Sequence, residues 1–186
     1  MKKKLSARGG FSLGELLAAT IILLLASQVM AQGVTFAVRM YNQTLTRSHG
    51  KQLCSTLTNS IETELRYATS ITYDESNGTL LTYFSPTYGQ SQSSFLSINS
   101  EDQETESGEI AIKATDENRQ TVYRRLISGA SYSSFDLKAK VDAVSYDRTK
   151  NTFTVTLSIL DKENNELVQN RFDVIPVNNL KINQNS

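Results

Sequence analysis

The stretch RGGFSLGELLAATIILLLA, residues 8–26, decides how this chain of 186 residues is organised. Between residues 16 and 26 its only polar side chain is Thr20. A helix over residues 11–31, at about 1.5 Å per residue, spans roughly 31 Å, close to the hydrocarbon thickness of a bilayer. Basic residues before it favour a cytoplasmic N-terminus: Lys2, Lys3, Lys4 and Arg8. We therefore predict one membrane-spanning helix, with the rest of the chain outside.

Glu15 is the only charged residue inside this apolar segment. A carboxylate in an inserted helix is costly, and ionisable residues within membrane segments are candidates for function. Two ordinary interpretations of the segment are a plain membrane anchor and a secretory signal peptide cleaved after Ala31. Neither interpretation explains why a carboxylate stands at position 15. The residue therefore indicates that the segment does more than anchor the chain.

Gly9-Gly10 followed by Phe11-Ser-Leu-Gly-Glu15 and the apolar run resembles the class III signal of type IV prepilins and type II secretion pseudopilins. The resemblance implies cleavage by a prepilin peptidase between Gly10 and Phe11 and N-methylation of Phe11. It also implies that Glu15 pairs with the N-terminal amine of a neighbouring subunit during assembly. A carboxylate matched to an ammonium is tolerable in an apolar core, whereas an unpaired one is not.

Two departures from the family pattern favour a minor pilin over a major one. Gly14 stands where most members carry leucine or isoleucine, and the mid-helix proline of many major pilins is absent. The family resemblance implies a subunit stored in the cytoplasmic membrane and then built into a pilus-like filament or secretion pseudopilus. Its expected partners are the prepilin peptidase and methylase, other pilins or pseudopilins, the membrane assembly platform and lipid. The alternative is a membrane-anchored or secreted binding domain.

Apolar residues continue at helical spacing beyond the membrane segment, which predicts one helix from Phe11 to Tyr67 with Gly33 and Gly50 as weak points. The outer half of this helix is expected to pack on a sheet through one stripe. The stripe comprises Val34, Val38, Tyr41, Leu45, Cys54, Leu57, Ile61, Leu65 and Ala68. Cys54 is interpreted as a small buried hydrophobe on that stripe, and His49 as a surface or boundary residue.

From residue 70 onward the apolar residues alternate, which predicts antiparallel strands with one buried face. Asn77-Gly78 predicts a hairpin turn between the first two strands. Strands are predicted over residues 71–73, 80–84, 94–98, 109–114, 121–127, 135–141, 153–159 and 166–175. The prediction is an α+β, pilin-like fold in which a long helical spine packs on an antiparallel domain. Its parts are a leader (1–10), a membrane helix (11–32), an amphipathic helix (33–68) and a β domain (69–186), loosely similar to J-type or W-type minor pilins.

Composition argues against several other classes of function. Without the first ten residues, Lys+Arg falls from 19 to 15 against 19 acids, which predicts no nucleic-acid partner. One cysteine, one histidine and the absence of a phosphate loop or nucleophile elbow predict a structural protein and not an enzyme. No cofactor or metal is predicted. The acidic stretch Glu101–Glu109 lacks the spacing of a calcium loop and is interpreted as a solvated surface loop.

Overall fold

The structure is a computed structural model, which describes residues 12–86, 92–115 and 120–183. The chain divides into two units, residues 1–45 and 46–186. A single helix, α1, runs over Leu13–Arg66, close to the predicted bounds. Ser12 immediately precedes it, and Phe11 lies outside the described residues. Gly33 and Gly50, predicted as weak points, lie within the unbroken helix.

The second unit buries one stripe of α1, as predicted. Its buried residues begin at Gly50 and continue with Leu53, Cys54, Leu57, Ile61, Glu64 and Leu65. A side chain at Gly50 would meet Ile159 and Leu167 at 3.7 Å, so the missing Cβ lets these two side chains approach the helix backbone. In the first unit the stripe is not buried, since Val34, Val38 and Tyr41 are all more than half exposed. The expectation that these residues pack on a sheet is wrong for this chain.

The β domain contains three small sheets and a short helix, α2 (Ala130–Ser133). The strands are β1 (Ser70–Tyr73), β2 (Leu80–Phe84), β3 (Ser94–Ile98), β4 (Glu104–Thr105), β5 (Glu109–Thr115), β6 (Thr121–Arg125), β7 (Lys138–Asp147), β8 (Thr152–Leu160), β9 (Glu166–Val174) and β10 (Lys181–Ile182). The sheet orders are β10-β1-β2, β4-β3-β5-β6 and β7-β8-β9. All pairs are antiparallel except β1 with β10, which is parallel. The α+β class is confirmed, although this parallel pair was not predicted.

Three local features differ from the predicted strands. Phe135 was expected to begin a strand, but β7 begins at Lys138, because α2 and the positive φ of Asp136 (50°) turn the chain before it. The register between β7 and β8 shifts near Asp142, which interrupts the predicted alternation. β4 forms inside the acidic stretch that was interpreted as a loop, where it pairs with the end of β3.

The core lies between the outer part of α1 and the sheets. In β8, Phe153, Val155, Leu157 and Ile159 are fully buried, as their alternation predicted. They belong to one apolar cluster with Leu57, Ile61 and Leu65 of α1. The Asn77-Gly78 hairpin is also confirmed, with Gly78 at φ 73° and its N–H donated to the carbonyl of Asp74 at 2.7 Å. The antiparallel domain is therefore covered by the helix, as its one-sided pattern requires.

Candidate functional site at the start of the long helix

Of the residues predicted to carry function, Glu15 is the one that lies within the described part of the chain. Gly10 and Phe11, the predicted cleavage and methylation positions, lie outside the described residues. Glu15 is exposed and lies in the first turn of the helix. The geometry of the site therefore rests on Glu15 and its immediate neighbours.

Ser12 and Glu15 form a reciprocal pair of hydrogen bonds. The backbone N–H of Ser12 donates to Glu15 Oε2 at 2.9 Å, and the backbone N–H of Glu15 donates to Ser12 Oγ at 3.2 Å. The carbonyl of Ser12 accepts from the N–H of Leu16 at 3.1 Å, which closes the first turn. This arrangement is a capping box, in which the two side chains satisfy two amides that the helix itself leaves without partners.

The cap gives the carboxylate of Glu15 a local structural role. It lies at the helix N-terminus, where the aligned peptide dipoles favour a negative charge. One oxygen, Oε2, is held by the chain's own backbone, and Oε1 has no hydrogen-bond partner among the described residues. Glu15 is therefore both anchored and able to accept a further donor.

An apolar stem, defined here as residues 13–41 of α1, follows the cap. Large apolar side chains are exposed on every face of it: Leu13, Leu16, Leu17, Ile21, Ile22, Leu23, Leu24, Leu25, Val29, Met30, Val34, Phe36, Val38, Met40 and Tyr41. Its only charges are Glu15 and Arg39. The hydroxyls of Thr20 and Ser27 donate to the carbonyls of Leu17 and Leu24, each at 2.8 Å, so both donors are satisfied within the helix.

The apolar stem requires an apolar environment. By length and composition, α1 is the one helix among the described residues that can cross a membrane, and the segment that meets this test is not buried by the chain itself. A helix that is apolar on all sides is stable in lipid or among other apolar helices. The stem is therefore suited to be a membrane anchor.

A groove of about 320 Å³ lies on the second unit, beside the outer part of α1. His49 stacks on Phe135 there, with ring centroids 3.7 Å apart and an interplanar angle of 18°. Gln52 and Leu53 of α1 and Ile127 near α2 also line the groove. His49 is half-buried, in agreement with its interpretation as a boundary residue. Its aromatic partner was not predicted.

The acidic stretch before β5 is held by cations of its own sheet. Glu104 accepts from Lys113 Nζ at 2.8 Å and from the Tyr123 hydroxyl at 2.9 Å, and the Lys113 ammonium lowers the pKa of this carboxyl. Arg125 forms ion pairs with Asp102, at 2.7 Å, and with Glu109. Within residues 12–86, 92–115 and 120–183, no three His, Cys, Asp or Glu side chains are grouped to hold a metal ion. These acids fasten the loop to β5 and β6.

Cys54 is buried on the stripe of α1, as predicted. Burial raises the pKa of its thiol, and the Thr58 hydroxyl opposes this effect in part. A thiol that stays protonated is a poor nucleophile and metal ligand. Cys54 therefore acts as a core residue.

No protein-family model, no curated protein and no solved structure matches this chain.

Proposed function

We propose that this protein is a minor pilin or pseudopilin, a structural and non-catalytic subunit with a pilin-like fold. In this proposal a peptidase removes residues 1–10, Phe11 is N-methylated, and the subunit is stored in the cytoplasmic membrane. It then enters a pilus-like filament or secretion pseudopilus at the cell surface or in the periplasm. The observation that carries the proposal is an apolar stem that begins with the carboxylate Glu15 and is too long for a bilayer alone.

The length of the apolar stem distinguishes a filament subunit from a plain anchor. From Leu13 to Tyr41 it extends roughly 42 Å at about 1.5 Å per residue, against a hydrocarbon core of about 30 Å. Tilting could enclose this length only at about 45°, beyond the roughly 0–40° found for membrane helices. The exposed side chains at its far end, among them Phe36 and Met40, therefore favour a cover made of neighbouring protein helices.

Glu15 suits a joint between such helices. Oε1, which has no hydrogen bond within the described part of the chain, is available to an ammonium while Oε2 caps the chain's own helix. Cleavage before Phe11 would create that ammonium on every subunit, since a terminal amine is cationic near neutral pH. A charge pair in an apolar core sets register more than it adds stability. Glu15 would thereby fix the axial position of each incoming subunit.

The proposal is tested by replacing Glu15 with leucine in the source cells. Glu15→Leu should be cleaved and inserted in the membrane as the unaltered chain is, yet be strongly depleted from sheared filaments. Glu62→Leu is the matched control, because Glu62 lies on the same helix and pairs with Arg66, one turn away. Normal incorporation of Glu15→Leu would contradict the proposal. An unaltered chain that stays in the membrane fraction and never enters a filament would also contradict it, and would favour an anchored binding domain.

A further inference from the structure

We propose that Arg39 binds the phosphate group of a phospholipid in the outer leaflet and so fixes the depth of the apolar stem in the membrane. The inference goes beyond the proposed function, because it concerns the inserted chain before any assembly and holds equally for a plain anchor. Two observations carry it. One is the position of Arg39 along α1, and the other is its exposed guanidinium, which has no ion pair among the described residues.

Arg39 lies just beyond the outer edge of the hydrocarbon layer when Leu13 lies at the inner edge. It follows Leu13, the first residue of α1, by about 39 Å along the helix at about 1.5 Å per residue. A hydrocarbon core of about 30 Å in a bilayer of about 40–45 Å leaves a headgroup layer about 5–7 Å thick on each side. Side chains of a helix point back toward its N-terminus, so the guanidinium of Arg39 is carried toward this layer.

The charge of Arg39 is not compensated along its own helix. The guanidinium is exposed and forms no hydrogen bond or ion pair with a described residue. The nearest acidic residues in the sequence are Glu15 and Glu62, each about 35 Å away along the helix. This distance is several times the Debye length of about 8 Å at physiological ionic strength. The arginine fork matches the geometry of a phosphate group, which it binds through two parallel hydrogen bonds.

The neighbours of Arg39 suit the edge of a bilayer. Arg39 shares a shallow cleft on the helix surface with Gln32, Thr35 and Phe36. Gln32 lies about 29 Å from Leu13, close to the outer edge of the hydrocarbon, and its amide has no partner among the described residues. Tyr41 is exposed two residues beyond Arg39, and tyrosine is enriched at the headgroup level. The helix thus changes from apolar to polar around Arg39.

The other exposed cations of α1 lie too far from a bilayer for the same role. Arg47 and Lys51 also lack an ion pair within the described part of the chain, but they follow Leu13 by about 51 and 57 Å along the helix. Both positions are more than about 10 Å above the headgroup layer. Arg47 is therefore the matched control for Arg39.

The experiment uses solid-state nuclear magnetic resonance to detect lipid phosphorus close to arginine side chains. The full-length protein carries a labelled guanidino carbon in every arginine. It is reconstituted at high dilution into vesicles of phosphatidylethanolamine and phosphatidylglycerol, in a buffer without phosphate, so that lipid is the source of phosphorus. Phosphorus at close range attenuates the carbon signal. Arg39→Gln should remove the attenuated signal of one guanidinium, and Arg47→Gln should leave the attenuated signal unchanged.

Three outcomes overturn the proposal. The first is an attenuated signal in Arg39→Gln equal to that of the unaltered chain, and the second is an equal loss in Arg47→Gln. The third is an unaltered chain without attenuation, which would point to a carboxylate of another protein chain as the partner of Arg39. Filament entry plays no part in this measurement and is tested by Glu15→Leu, so the inference and the proposed function fail separately.

Discussion

The two parts of helix α1 place their apolar residues in different surroundings. Over residues 13–41 apolar side chains are exposed on every face, and Glu15 and Arg39 are the only charges. Over residues 50–65 they form one buried stripe, with Lys51 exposed and Glu62 at the boundary. One continuous helix thus lies in two kinds of surroundings. One part is covered by the β domain, and the other stays exposed among the described residues, which suits it to an apolar environment.

This difference predicts where a mutation affects folding and where it affects assembly. Substitutions in the buried stripe should destabilise the isolated protein. The same substitutions in the apolar stem should leave the stability of the domain unchanged, because the side chains of the stem are exposed. Matched pairs of variants, one in the second unit and one in the stem, test the distinction directly.

The largest contrast is expected from leucine-to-alanine substitutions. Leu57 is fully buried in the core, whereas Leu24 is 64% exposed on the stem. Leu57→Ala should lower the free energy of unfolding of the domain by about 3 kcal/mol, since it removes buried methyl groups and leaves a cavity. Leu24→Ala should change it by less than about 0.5 kcal/mol. Thermal unfolding of the full chain in detergent measures both, and equal losses would show that the stem packs on the domain.

Glycine substitutions should give the next largest difference. A Cβ at Gly108 would lie 2.2 Å from the carbonyl oxygen of Ile98, which is main chain and cannot move aside freely. Gly108→Ala should destabilise the domain by about 2–3 kcal/mol. At Gly33 a Cβ would meet no atom of the described residues within 4 Å beyond the adjacent helix backbone, so Gly33→Ala should raise helix stability by about 0.5–1 kcal/mol. Circular dichroism during heating checks both, and a tolerated Gly108→Ala would refute the close approach of β3.

Removal of a buried hydroxyl should have a smaller effect. The Tyr132 hydroxyl accepts the backbone N–H of Ile110 at 3.1 Å in the core. Tyr132→Phe should cost about 1–2 kcal/mol, because a buried amide loses its acceptor. Ser27→Ala on the stem removes a hydroxyl that donates to Leu24 within the same helix and should leave the domain unchanged. Denaturant unfolding at neutral pH compares the two, and a stability of Tyr132→Phe equal to that of the unaltered chain would contradict the assigned bond.

The same tyrosine predicts an alkaline limit to stability. Burial raises the pKa of Tyr132 from 10.0 to about 12, so the folded state keeps the proton after the unfolded state has lost it. Stability should therefore fall as the pH rises from about 10 to about 12. This loss of stability between about pH 10 and about pH 12 should be absent in Tyr132→Phe. An identical alkaline profile in the variant would show that the loss has another origin.

The smallest expected effect is the dependence of domain stability on acid pH. The pKa of Glu104 lies below 4.5 because Lys113 and then Tyr123 donate to its carboxylate, whereas the unfolded chain titrates near that value. The contribution of this pair is present above about pH 4.5 and is lost as the pH falls through the lower, folded pKa. Glu104→Gln should therefore lower Tm slightly at neutral pH and approach the unaltered chain at acid pH. Arg39→Gln, a charge removal on the stem, should show no such dependence.

The long regular elements were predictable from the sequence because their periodicity repeats over many residues. The outer part of helix α1 and strand β8 each follow one period of buried residues, and Asn77-Gly78 specifies its hairpin through local backbone preference. The short elements α2, β4 and β10 were missed. Each has four residues or fewer and depends on tertiary partners, as in the parallel pairing of β10 with β1.

Half of the candidate site was predictable. Glu15 is conspicuous as a carboxylate in an apolar run, and this feature is visible without a structure. Ser12 was missed although Ser12-x-x-Glu15 has the spacing of a capping box, because the helix was expected to begin at Phe11. A residue inside a helix has no capping role. Only the observed start of the helix at Leu13 reveals that Ser12 is its N-cap residue.

The most direct test of the proposed function is mass spectrometry of the N-terminus of the mature protein purified from its source cells. The mature protein is expected to begin with N-methylated Phe11, without residues 1–10. A chain that begins at Met1 would indicate a plain membrane anchor, and one that begins at Gln32 would indicate a cleaved signal peptide. Either of these results would contradict assignment of the protein to filament assembly.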